Sequence, residues 1–68
     1  MVVNKKLLDI AMASACMTSA EVHKKSGLPR GIFLNAITGK NVRPATAGKI
    51  AKALGVPVEK LIDMEEYD

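Results

Sequence analysis

The sequence predicts an all-α fold, one domain of five short helices, and three observations carry that expectation. Apolar residues recur every three or four positions along most of the chain, the spacing of helices that bury one face. Alanine, leucine, isoleucine and valine dominate a composition that is 49% hydrophobic, and Phe33 and Tyr67 are its only aromatics. Glycines and prolines stand between the apolar stretches, at Gly27, Pro29, Gly39, Pro44, Gly55 and Pro57, where helices end and begin. Strand-like alternation, internal repeats and low-complexity segments are absent.

Leu7, Leu8, Ile10, Ala11 and Ala15 place a first helix from Asn4 to about Ala15, with Asn4 as its cap. A second runs from Ser19 to Lys25 behind a Thr18 cap, with Val22 inward and Glu21, Lys24 and Lys25 outward. Gly27 ends it, because glycine enters the left-handed conformation without a Cβ penalty. The third, Pro29 to Thr38, is apolar on more than one face. Phe33 and Ile37 form its best core pair, which leaves Arg30, Gly31, Leu34 and Asn35 exposed and Ile32 at the edge. A fourth from Ala45 to Leu54 turns Ala47, Ile50, Ala51 and Leu54 inward and Lys49 and Lys52 outward. A fifth from Val58 to Met64 returns Val58, Leu61 and Ile62 to the core. The domain therefore covers residues 1–64, and residues 65–68 form an acidic tail.

Charge is polarised along the chain. Nine Lys/Arg oppose only Asp9 and Glu21 in residues 1–55, whereas Lys60 faces Glu59, Asp63, Glu65, Glu66 and Asp68 in residues 56–68. A basic body suits a polyanion, with the tail pointing away from it. At 68 residues the chain buries only roughly 60% of its unfolded surface, so modest stability and a gain from dimerisation are expected. Cys16 stands alone, which excludes an internal disulfide, and is expected to be a small buried hydrophobe. His23 reads as a packed or half-exposed ring rather than a ligand, and no metal or cofactor is expected. Ser19, Glu21 and His23 share two turns of one short helix without a pocket, so an enzyme is the weakest option.

No apolar stretch approaches the roughly 20 residues that span a bilayer. Lys5 and Lys6 before an apolar run ending at Ala15-Cys16 faintly resemble a lipoprotein signal. Asp9 interrupts that run, and losing residues 1–15 would uncover the two-helix unit behind it. A soluble, cytoplasmic protein is the expectation.

Met17-Thr18 and Val22, Gly27 at the turn, Phe33, Thr38-Gly39-Lys40 with Arg43-Pro44, and the run Ile50 to Val56 continuing to Leu61 together resemble the Cro/C1-type (XRE) helix-turn-helix family, the phage repressor-like DNA-binding domains. The likeness covers about residues 5–62 without a gap. It implies a five-helix repressor-like domain containing a helix-turn-helix, with the helix from Pro29 to Thr38 in the major groove of double-stranded DNA. Carried over by position, Arg30, Gly31 and Asn35 become the base-facing residues. Arg30 can pair with guanine and Asn35 with adenine or a phosphate, while Gly31 either admits close backbone approach or is an ordinary tolerated glycine.

The start of the second helix with Thr18 and Ser19, together with Thr38, Lys40, Asn41 and Arg43, becomes a phosphate clamp. Ser19 stands where the family often has a glutamine that reaches phosphate, so that contact is shorter or lost. Met12 and Ile37 stand where some phage repressors hold a buried ion pair; both are apolar here and are expected to touch.

The resemblance implies a transcriptional regulator of phage or mobile-element type. The family often dimerises between its fourth and fifth helices, where Val56, Pro57 and Val58 are apolar, so a weak homodimer through that end is expected. A competing reading is a protein-interaction module on the same fold, because Ile32 and Leu34 add apolar surface where a DNA reader is usually polar. Two polar side chains are few for direct readout, so thymine methyl contacts and DNA shape are expected to contribute.

Overall fold

A computed structural model describes residues 1–62. Residues 63–68 lie outside the described residues, and with them the end of the expected fifth helix and the acidic tail. Four α-helices follow one another: α1 (Lys5–Ala15), α2 (Ser19–Ser26), α3 (Arg30–Ile37) and α4 (Pro44–Leu54). The fold is therefore mostly helical, as the apolar spacing predicts.

Local chemistry sets most of the boundaries. Asn4 is extended and its Oδ1 accepts the Leu7 N–H at 3.1 Å, which starts α1. Thr18 starts α2, and Gly27 ends it at φ 71, the left-handed region the sequence assigns to that glycine. Pro29 sits just outside α3, whose first residue is Arg30, while Pro44 is the first residue of α4, where its missing N–H has no partner to lose.

The core gathers Val3, Leu8, Val22, Leu28, Phe33, Ala36, Ile50, Leu54 and Leu61 around α4. Met12 and Ile37 are both half-buried against it. Ile10 departs from expectation: it is 58% exposed, because the inward stripe of α1 runs through Leu8 and Ala11 and leaves Ile10 on the opposite side.

Where the sequence predicts a fifth helix from Val58, the described residues form a single 3-10 turn, Val58–Lys60. The Lys60 and Leu61 N–H groups reach back three residues to Pro57 and Val58 carbonyls at 3.0 and 2.9 Å. Ile62 then leaves the helical path and pairs antiparallel with Val3. A matching isolated bridge joins Val2 to Asn41. These two contacts are the β-type pairing among the described residues, and the helical apolar pattern gives no sign of them.

Cys16 is exposed rather than buried, which corrects the expectation for it. It is the C-cap of α1 at φ 55, the only non-glycine at positive φ among the described residues. Its N–H and that of Met17 close on the carbonyls of Ala13 and Met12 at 3.1 and 3.0 Å. That geometry favours glycine over a residue with a Cβ. Cys16→Gly is accordingly expected to raise the unfolding free energy by about 1 kcal/mol in urea titrations, whereas Cys16→Ala stays near the parent; equal midpoints for the two variants would show that the cap is unstrained.

Candidate nucleic-acid interface

The relation between α2 and α3 is fixed by a bracket of side chains around the turn. A carbonyl only accepts, so His23 Nε2 carries the hydrogen in its 2.9 Å bond to Leu28 O. The same ring stacks on Phe33 of α3, with centroids 4.9 Å apart and 26° between planes. Ser26 Oγ donates to His23 O at 2.9 Å and accepts from the Leu28 N–H at 3.4 Å. His23 is thus a half-buried packing residue, in keeping with its sequence reading, and it ties one helix to the start of the next.

Arg30, Gly31 and Asn35 are all exposed on α3. A Cβ built on Gly31 meets nothing within 4 Å, so the fold itself makes no demand for glycine there. Beside this face a groove runs between α3 and the first half of α4, lined by Ile32, Asn35, Asn41, Arg43, Thr46 and Lys49 among others, with no carboxylate among the described residues of its lining. It unites Asn35, Asn41 and Arg43 of the expected site and adds Lys49, which the sequence marks only as an outward cation. Thr18, Ser19, Arg30, Gly31, Thr38 and Lys40 are exposed but lie outside the lining.

The loop from Gly39 to Arg43 leaves the end of α3 through bonds from the Gly39 and Lys40 N–H groups to Ala36 and Asn35 carbonyls at 3.3 and 3.0 Å. Lys40, Asn41 and Arg43 are exposed along it. The Met1 amine donates to Asn41 Oδ1, which leaves the two Nδ2 hydrogens of Asn41 as its donors for an anion. Thr38 is less available than expected. Its hydroxyl donates to Leu34 O at 2.7 Å, also lies 3.3 Å from Asn35 O, and must break away from its own helix before it can donate to a phosphate.

The start of α2 is also altered by a detail the sequence reading missed. Thr18 and Glu21 form a capping box: Thr18 Oγ1 accepts the Glu21 N–H at 3.2 Å, and Glu21 Oε1 takes the Thr18 N–H at 3.0 Å and its hydroxyl at 3.1 Å. Both Thr18 donors are spent within the helix, and a carboxylate stands where the clamp expects to receive phosphate. Ser19 is the exposed hydroxyl left at that end. The signal was present as Thr18-x-x-Glu21, the sequence form of the box.

No family model, curated protein or solved structure matches this chain.

Among the described residues, no group of three or more His, Cys, Asp or Glu can hold a metal ion. No helix among them is long and apolar enough to cross a membrane. What the arrangement offers chemically is therefore a set of hydrogen-bond donors and cations beside an apolar strip at Ile32.

Hydrogen bonds from the Thr18 backbone, then from its hydroxyl, hold the Glu21 carboxyl below the usual glutamate range. The folded group titrates below the unfolded one, so its contribution to stability is complete above the unfolded glutamate pKa and is lost as pH falls through the lowered folded value. Chemical denaturation from neutral pH into acid is expected to show a flatter acid limb for Glu21→Gln than for the parent; superimposable limbs would remove the box from the account of acid stability.

Proposed function

We propose that this chain is a sequence-specific double-stranded DNA-binding protein of the Cro/C1-type helix-turn-helix family, a transcriptional regulator of phage or mobile-element type acting in the cytoplasm. In this reading α2 and α3 are the helix-turn-helix, and α3 enters the major groove with Arg30 and Asn35 at base edges. Lys40, Asn41 and Arg43 hold phosphates, and Lys49 joins them from α4. The observation that carries the reading is the groove bearing Asn35, Asn41, Arg43 and Lys49, with no carboxylate among its described lining residues, next to a reading helix whose Arg30, Gly31 and Asn35 are all exposed. The His23 bracket supports it by giving α3 a fixed seat on α2. The Glu21 carboxylate weakens one arm of the clamp, so phosphate binding falls mainly to the loop and to α4.

A weak homodimer through Val56, Pro57 and Val58 accompanies this proposal. Pro57 is exposed there, and the two valines are half-buried. The second reading, a protein-interaction module, draws on Ile32 and Leu34, which are 43% and 41% exposed on α3.

With roughly three phosphates neutralised per protomer, by Lys40, Arg43 and Lys49, log K for duplex DNA should fall against log salt with a slope of about −2.7 for each protomer bound. A flat response would reject DNA binding and turn attention to the apolar face of α3. Arg30→Ala is expected to cost roughly 1 to 3 kcal/mol and to relax preference at one base pair, while Lys40→Ala weakens all sequences alike and lowers the slope by about one. Gly31→Ala separates the two roles of that glycine. Its helix propensity raises stability by roughly 0.5 to 1 kcal/mol, and close backbone approach to DNA requires that affinity fall at the same time; a stabilised variant with unchanged affinity would make Gly31 a bystander.

A further inference from the structure

We propose that residues 1–4 are a positioning strap for the phosphate-contacting loop, setting which of its side chains face the ligand. This rests on the DNA-binding reading above and adds to it a segment outside the resemblance.

The loop is secured at its ends by the helices it joins. Gly39 and Lys40 are tied to the end of α3, and Arg43 O accepts the Thr46 and Ala47 N–H groups at 3.0 and 3.3 Å at the start of α4. Asn41 and Val42 between them are held by the strap. The Val42 N–H donates to Met1 O at 2.8 Å, the Met1 amine donates to Val42 O at 3.0 Å, and Val2 stands antiparallel to Asn41.

The strap is itself anchored. Val3 is buried and pairs with Ile62, the Asn4 N–H donates to Leu61 O at 2.7 Å, and Asn4 caps α1. Residues 1–4 therefore lie as an extended piece with the loop bonded near its start and the 61–62 segment bonded near its end.

Extended pairing decides sides. Successive side chains of an extended segment point to opposite faces, and a slip of one residue exchanges the faces. In the observed register Val42 is half-buried while Lys40, Asn41 and Arg43 are exposed. A slip would bring Val42 out and turn a polar neighbour toward the core. The strap thus holds the loop ready, so that its donors need not be ordered when an anion arrives. Its effect falls on phosphate contacts, which carry no sequence information, and not on the bases.

A chain of this length can be assembled by chemical synthesis, which allows the Asn41–Val42 amide to be replaced by an ester. The ester removes the one N–H that donates to Met1 O and keeps every side chain. An ester at Lys60, whose N–H donates to Pro57 O at 3.0 Å, serves as the control. Each protein is titrated across a salt series against its selected duplex and a scrambled one.

The expected result is roughly five- to tenfold weaker binding of both duplexes by the ester at 42, with a salt slope shallower by about one, at an unchanged ratio between duplexes and a thermal midpoint matching the control. If the ester protein does not fold, Val2→Gly loosens the same pairing at a position 41% exposed and must give the same signature. A parent that binds DNA and an ester with the parent's affinity and slope would overturn the strap alone. A changed ratio between duplexes would also overturn it, by placing the effect at the bases. A parent with no salt-dependent binding overturns the DNA reading and the strap's role together.

Discussion

The packing of α4 is the constraint on which the rest depends. α1, α2, α3 and the 3-10 turn all meet it, with α2 making the largest share of those contacts. Its inward face is Ala47, Ile50, Ala51, Ala53 and Leu54, so three of five buried apolar positions are alanine. Small side chains allow helices to approach closely, which lets the core close around a single buried aromatic among the described residues, Phe33. The same helix presents Lys49 and Thr46 to the groove, so the surface facing the candidate ligand is the back of the main packing element rather than an appendage.

The second constraint is the seat of α3. An eight-residue helix has little stability of its own, and α3 begins behind a proline without any side-chain cap. What fixes it is Phe33 in the core with the His23 imidazole stacked on one side, and that ring is bonded in turn to the carbonyl of Leu28. An interaction surface on such a helix is only as rigid as this arrangement. The ring therefore serves geometry while lying away from the exposed face that Arg30 and Asn35 share.

Residues acting within one helix were legible in the sequence. Asn4 and Thr18 as caps, Gly27 as a left-handed stop, Val22 and Phe33 as core, and the inward set of α4 all follow from spacing and backbone preference. Features that join distant parts were not. Val2 and Val3 look like a short apolar lead into α1, and nothing local says that they pair with Asn41 and Ile62. Cys16 misleads because burial is the usual fate of a lone cysteine, whereas here the end of α1 needs a left-handed residue more than the core needs a thiol. The Thr18–Glu21 box is written in the sequence as Thr18-x-x-Glu21, but the same hydroxyl also suits a phosphate, and only the fold shows that the Glu21 carboxylate already occupies it. The candidate site was legible as residue types, less so as a shape: the groove that gathers Asn35, Asn41, Arg43 and Lys49 exists only once α4 is set against α3.

The pairing of Val3 with Ile62 bears on the order in which the chain folds. Helices form within about a microsecond from neighbouring residues, and the packing of α2, α3 and the 3-10 turn on α4 spans moderate separations along the chain. The strap instead joins one end of the described chain to its middle and to its other end, where loop-closure entropy is greatest and only a few bonds are gained. That separation favours a strap that closes late, and native-state exchange at Val42 and Asn4 is then expected to run ahead of exchange at Val22 or Ile50. During synthesis it leaves the ribosome before any partner exists and waits for Leu61 and Ile62. The nascent chain is thus expected to complete its helices before the loop from Gly39 to Arg43 takes its final register.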